Sequence, residues 1–305
     1  MIDYIKLQPT KNNDFENHII SNKVVELKTF LDTFTGEIKE YPKLGKLLNL
    51  DVKINPVYSS LSGSLHKFQN IHFLNQDQNY NDFNYEQLSN LIPSLVNTFD
   101  LGNSSSLGYL ELGFNLKVDF NPQTFVDDNL LMYDYRSHNK DLKKGDYKEF
   151  IKTDFNIKIY NKSKHFNLKE HILRIELKIT KKRFLQKLDI YTLEDLLCKN
   201  KLCAIFNVLQ KEFEKVIIVD NFEGLEIPIK DIEKLNKYTN PNYWNRIKKP
   251  ESYKVQKRLK NDFKLILTKY NLDTIKKDLQ YKLIYKFEEL MNENYQDLLY
   301  SKEIA

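Results

Sequence analysis

The sequence predicts an α+β fold, on three observations. Alternation with a period of two dominates the first 180 residues, a single long segment of helical period interrupts it, and after Thr180 the pattern turns helical. Residues 3–7, 23–30, 37–41, 56–68, 109–120, 156–161 and 172–179 read as strands, each alternating or rich in β-branched and aromatic residues. In the first, Ile2, Tyr4 and Lys6 alternate against Asp3, Ile5 and Leu7. The inserted helix covers residues 85–99, where Leu88, Leu91, Ile92, Leu95 and Phe99 make an apolar stripe and Asn84 or Asn81 can cap it. Residues 123–154 lose periodicity and read as a long polar loop carrying Tyr133, Tyr135, Arg136, Lys140 and a Lys143-Lys144-Gly145 turn. Helices follow at 193–199, capped by Thr192, and at 202–219, 232–238, 253–270 and 272–291. Residues 239–242 (Thr-Asn-Pro-Asn) read as a linker, dividing a domain of residues 1–236 from a helical module of residues 237–305.

Composition excludes several classes. With 41% hydrophobic and 29% charged residues, the 305-residue chain can bury a core and is not generally disordered. No run approaches the roughly 18 apolar residues of a membrane span, and the first residues lack a signal-peptide pattern, so a cytoplasmic protein without membrane contact is expected. Cys198 and Cys203 read as free thiols, because their spacing suits neither a zinc knuckle nor a staple. Charge is uneven. Residues 241–305 hold 14 Lys and Arg against 9 Asp and Glu, and the 33 of each sign before them cancel. A neutral body with a basic module points to a polyanionic partner for that module, though a solvated basic face would give the same count.

Three strands carry a chemical face. In 109–120 the apolar residues Leu110 to Phe120 point one way, and Tyr109, Glu111, Gly113, Asn115 and Lys117 the other. In 155–162 the polar face holds Lys158, Tyr160 and Lys162; in 172–179 it holds Arg174, Glu176 and Lys178. If the three share a sheet, Glu111 and Glu176 can hold a hard cation while Lys158, Lys162, Arg174 and Lys178 hold phosphate. The alternative is a solvated face with cross-strand ion pairs. In the strand at 56–68, Ser62, Ser64 and His66 share a face, so His66 is a metal-ligand or phosphate-contact candidate, or a structural histidine.

In the basic module, Asn242-Tyr243-Trp244-Asn245-Arg246-Ile247-Lys248-Lys249 holds the only tryptophan, a base-stacking candidate or a domain anchor. The next helix crowds Lys254, Lys257, Arg258, Lys260 and Lys264 on one face over a stripe of Val255, Leu259, Phe263 and Ile266, a face suited to duplex DNA.

Gly63-Ser64-Leu65-His66-Lys67-Phe68, Leu110-Glu111-Leu112-Gly113-Phe114-Asn115, Lys158-Ile159-Tyr160-Asn161-Lys162 and Leu173-Arg174-Ile175-Glu176-Leu177-Lys178 together resemble phage and plasmid replication proteins. Their order and spacing are similar to those of filamentous-phage replication endonucleases and rolling-circle plasmid initiators, over about residues 1–220. The resemblance implies a palm-like antiparallel sheet with helices on one face, and a nicking domain that cuts origin DNA through a tyrosine. Tyr160 would be the nucleophile, leaving a 5′-phosphotyrosine, with Glu111 and Glu176 at a Mg²⁺ or Mn²⁺ ion, for which His66 is the further candidate ligand from its own strand. Lys158 and Lys162 would favour the phenolate, and Arg174 would clamp phosphate by its fork or form a salt bridge to Glu111 or Glu176. Many such nickases carry two histidines around one hydrophobic residue; this chain has no such triplet. Implied partners are single-stranded and duplex origin DNA, a host helicase and a second copy of the chain. The alternative function is a non-catalytic, winged-helix origin-binding initiator, with Arg246, Lys257 and Arg258 on DNA in either case.

Overall fold

The computed structural model describes residues 1–102, 105–138, 147–247 and 253–295. Lys140, the Lys143-Lys144-Gly145 turn, Lys248 and Lys249 lie outside the described residues. The chain begins with β1 (Ile2–Pro9), α1 (Asn12–Ser21), the hairpin β2 (Lys43–Leu47) and β3 (Leu50–Ile54), β4 (Ser59–Ser64), α2 (Leu65–Leu74), α3 (Tyr85–Phe99) and β5 (Ser105–Lys117). It continues through α4 (Pro122–Thr124), β6 (Leu130–Tyr133), β7 (Tyr147–Ile151), β8 (Phe155–Asn161), α5 (Lys162–Phe166), β9 (Ile172–Ile179) and α6 (Lys182–Gln186). After these come α7 (Lys199–Phe213), β10 (Val216–Ile218), α8 (Ile229–Tyr238), α9 (Pro241–Arg246), α10 (Tyr253–Lys269) and α11 (Thr274–Met291).

Eight strands form one sheet in the order β2-β3-β4-β1-β5-β9-β8-β7, with every neighbouring pair antiparallel. The α+β class is as the periodicities predict. The apolar side of β5 meets helices: Phe114 packs edge-on against Phe206 of α7 and Phe287 of α11, and the stripe of α3 joins the same core. Asn84 caps α3 in a reciprocal capping box with Gln87, satisfying backbone donors at both ends of the motif.

Several elements depart from the sequence reading. The segment 56–68 is strand only to Ser64; there the Ser64 hydroxyl accepts the Lys67 N–H and starts α2, because a serine cap three residues ahead of a free amide outcompetes further pairing. Residues 23–30 and 37–41 make only isolated bridges, at Lys28–Leu44 and Leu31–Ile38, and the hairpin that pairs into the sheet is β2–β3. The stretch read as a loop holds β6 and β7, whose pairing partners β10 and β8 lie later in the chain.

Among the described residues the buried interior has two cores, and the large one takes in side chains from both ends of the chain. Leu279, Leu283, Phe287, Leu290 and Met291 of α11 belong to the large core under the sheet. The smaller core gathers Leu235, Tyr238, Trp244, Phe263, Ile266 and Leu272 from α8 to α11's approach. The β6–β10 ribbon is the wall between them: Val216 and Ile218 face the large core, Ile217 and Val219 the small one, as period-two alternation requires. Among the described residues, no helix is long and apolar enough to cross a membrane.

Candidate active site

The polar face of the sheet is built across β1, β5, β9 and β8. Register sets Glu111 opposite Lys178, Gly113 opposite Glu176 and Asn115 opposite Arg174; across the next pair, Lys158 faces Glu176 and Tyr160 faces Arg174. Glu111, Tyr160, Arg174 and Glu176 therefore converge.

Asp3 joins them, where sequence reasoning missed it. Strict alternation puts Asp3 on the side of Ile5 and Leu7. In the structure the β1–β5 register slips between Ile2 and Ile5, and this bulge turns Asp3 toward Arg174 while Ile5 stays in the core. A single apolar-polar count cannot reveal such an inserted residue.

Arg174 is the centre of the cluster and is 1% exposed. Its Nη2 donates to Asp3 Oδ2 at 2.6 Å, its Nε to Glu176 Oε1 at 2.5 Å and its Nη1 to Asn115 Oδ1 at 2.8 Å. The fork expected to clamp phosphate is thus directed inward, because the two buried carboxylates need its charge. Gly113 makes the space: a Cβ there would lie 2.6 Å from Arg174 Nη2.

Lys178 Nζ lies 3.2 Å from Glu111 Oε1 and 3.9 Å from Glu176 Oε2, and Tyr109 donates its hydroxyl to Glu111. Tyr160 donates its hydroxyl to Glu176 Oε1 at 3.1 Å, and Lys162 Nζ lies 3.5 Å from that hydroxyl. Lys162, 2% exposed at the start of α5, donates to Asn79 Oδ1 at 2.7 Å, and Asn79 Nδ2 donates to Asp3 Oδ2 at 2.9 Å. Asn115 Nδ2 holds this asparagine-rich loop by the carbonyls of Asn79 and Asn81. The run Asn79-Tyr80-Asn81, polar yet followed by an apolar helix, is the sequence signal that could have marked it. Tyr147 was also missed: it pairs opposite Tyr160, and the Lys158 ammonium sits over both rings, at 4.3 and 4.6 Å from their centroids.

Burial and charge set the protonation states. Burial alone would raise the Asp3 and Glu176 carboxyls, but Arg174 acting with the Ser64 hydroxyl and Lys162 at Asp3, and with Lys178 and Lys158 at Glu176, holds both below the usual range. Burial and the neighbouring Glu176 push Glu111 up against the pull of Lys178. Burial, then Arg174, lowers Lys162 to about 7. Tyr160 is raised, by burial first and then by Glu176. This corrects the expectation that Lys158 and Lys162 favour a phenolate: a desolvated phenol beside a carboxylate keeps its proton, and Lys162 is itself a weak cation.

His66 is also corrected. As the second residue of α2 it does not share a strand face with Ser62 and Ser64; it stacks on Phe83, its Nε2 bonds Asn81 Oδ1 at 2.7 Å, and burial lowers it to about 3. Among the described residues the group able to surround a cation is Asp3, Glu111 and Glu176, with one oxygen from each within 4.8 Å of the others. Three carboxylate oxygens suit a hard ion such as Mg²⁺ or Mn²⁺. A cation there would offset the burial and the Glu176 charge that raise Glu111, in competition with Arg174 and Lys178.

Trp244 is an anchor of the smaller core. It is 2% exposed, donates its indole N–H to the Tyr238 carbonyl at 2.7 Å, and packs with Tyr135, Tyr238, Tyr243 and Phe263. Arg246, Lys257 and Arg258 are exposed.

Fold and site together define an α+β protein with a buried carboxylate–arginine cluster beside a tyrosine and a lysine. No family model and no curated protein sequence matches the chain. Among solved structures it is similar to a rolling circle replication initiator protein from Geobacillus stearothermophilus, at 11% identity over 74% of this chain and 88% of that one, with a TM-score of 0.41. Likeness at this level carries no argument about function.

Proposed function

We propose that the chain is a replication initiator that nicks single-stranded origin DNA by a tyrosine, with help from a divalent metal. The observation that carries the reading is the convergence, on one sheet face, of three carboxylates within 4.8 Å of one another, Tyr160 hydrogen-bonded to one of them, and Lys162 at 3.5 Å from the tyrosine hydroxyl. The resemblance of the same segments to rolling-circle initiators supports it.

Tyr160 Oη attacks the scissile phosphorus. The new O–P bond forms as the bond from phosphorus to the 3′ oxygen breaks, leaving a 5′-phosphotyrosine. The phenolic proton passes to Lys162 Nζ, which is neutral in a substantial fraction near pH 7, and the departing 3′ oxygen takes a proton from solvent. Asn79 holds the lysine in place through its 2.7 Å bond. A divalent ion bound by Asp3, Glu111 and Glu176 would supply Lewis acidity at the phosphate. Rejoining needs no ATP, since the phosphotyrosine keeps the energy of the broken bond. Lys158 and Lys178, half-buried on the same face, and the exposed Arg246, Lys257 and Arg258 are the proposed DNA contacts.

The test is incubation with labelled single strands from the native replicon and Mn²⁺, followed by denaturing electrophoresis. A metal-dependent protein–DNA adduct that disappears in Tyr160→Phe is the expected result. Loss of the adduct in Tyr147→Phe instead would move the nucleophile across the β7–β8 pair, where Tyr147 shares Lys158 with Tyr160. The second reading is a non-catalytic origin-binding initiator, favoured by the way Arg174 already neutralises Asp3 and Glu176. It predicts metal-independent DNA binding and no adduct.

A further inference from the structure

A cleft of about 780 Å³ lies between α10, the start of α11, the end of α7 and the β6–β10 ribbon, away from the carboxylate cluster. Its floor is apolar, with Ile218, Phe263 and Leu267, and its rim is basic. Lys257, Lys260 and Lys264 recur at i, i+3 and i+7, which aligns them on one face of α10. Lys211, Lys276 and Lys277 rise from the opposite wall. Seven lysines line the cleft against three carboxylates, those of Asp134, Glu214 and Asp273.

Internal pairing does not use up this charge. Lys260 meets Asp134 at 3.4 Å, Lys277 meets Asp273 at 2.7 Å and Lys215 meets Glu212 at 2.7 Å, while Lys276 donates to the Glu214 carbonyl at 2.7 Å. Lys211, Lys257 and Lys264 make no ion pair with a described residue. Burial and then the charge of Lys264 lower Lys276 to about 8, against the opposing pull of Glu214 and Asp273. Tyr253, 71% exposed on the α10 wall, offers an aromatic face beside the lysines.

We propose that this cleft binds a segment of single-stranded DNA, its phosphates held by Lys211, Lys257 and Lys264 and a base lying on Tyr253. A basic groove with an aromatic wall matches the chemistry that holds single strands without reading sequence. A cleft of about 780 Å³ with an apolar floor has room for a nucleotide or more of a single strand, whose unpaired bases can meet that floor. The proposal rests on the reading that the chain handles single-stranded DNA, but the cleft lies apart from the nicking chemistry and can be tested without it.

The experiment measures binding of a fluorescent 12-nucleotide oligothymidylate to the full chain by anisotropy, in EDTA, across a salt series. The combined variant K211Q/K257Q/K264Q changes only exposed side chains, and an unchanged thermal melt checks its fold. Losing three phosphate contacts should flatten the slope of log affinity against log salt by about 2, at about 0.7 per contact. Tyr253→Ala should weaken binding several-fold at every salt concentration and leave the slope unchanged. Equal affinity and slope in wild type and the triple variant would overturn the proposal. So would a triple variant that loses duplex binding and keeps the single strand, which would assign these lysines to duplex DNA. Because metal is absent, binding that persists when Tyr160→Phe abolishes adducts separates this site from the nicking reading, and the reverse pattern separates them equally.

Discussion

Among single residues, Lys162 has the most informative position. It is buried, bonded to Asn79, and lowered to about 7 from an ordinary value of 10.5 by burial and Arg174. A lysine with a depressed folded value binds its proton later than the unfolded chain does as pH falls. Its contribution to stability is therefore greatest above about 10.5, declines as pH falls toward about 7, and is constant below that. In Lys162→Met this group's rise in stability between pH 7 and 10.5 should vanish, as read from urea midpoints across that range. If Lys162 takes the Tyr160 proton, the same variant should also lose the rise in adduct formation near pH 7. A lysine held only for structure would change the first readout and spare the second.

At the level of the element, the β5–β9 ladder makes the site possible. Gly113 opposes Glu176, and its missing side chain is the room that the Arg174 guanidinium occupies. Gly113→Ala would set a Cβ 2.6 Å from Nη2 and 3.0 Å from the Glu176 Cγ, so the arginine or the strand must shift. Overpacking of this kind costs about 1–3 kcal/mol, measurable as a lower urea midpoint with an unchanged slope. Weaker binding of Mn²⁺ should accompany it, because the displaced arginine disturbs Asp3 and Glu176 together. The alternation of 109–120, 155–162 and 172–179 in the sequence was enough to place these strands and their polar residues. It was not enough for β1, where one bulge reassigns Asp3, nor for β6 and β7, whose partners are distant in sequence.

Across the whole molecule, α11 ties its basic surroundings to the sheet. Phe287 of α11 stacks on Phe206 at 4.0 Å and touches Phe114 of β5, while Trp244 sits in the smaller core across the β6–β10 ribbon. Phe287→Ala leaves a cavity in the large core and should cost about 3–5 kcal/mol. Trp244, the only tryptophan, reports on the other core. Since the ribbon faces both, its fluorescence transition in urea should shift with the Phe287 variant. An unmoved Trp244 transition would show two cores that unfold separately.

Hydrophobic periodicity by itself determined the α+β class, the inserted helix, the three strands of the site and the polar face that carries Glu111, Tyr160, Arg174 and Glu176. It also located the basic helix α10. These are local properties, written in the spacing of apolar residues along one segment. Tertiary structure alone decided the rest. It turned Asp3 inward, directed Arg174 to two carboxylates rather than to solvent, left Tyr160 protonated beside Glu176, seated Trp244 in a core, and placed α11 under the sheet. Each depends on which segments meet, and burial changes what a charged or aromatic side chain can do once they have met.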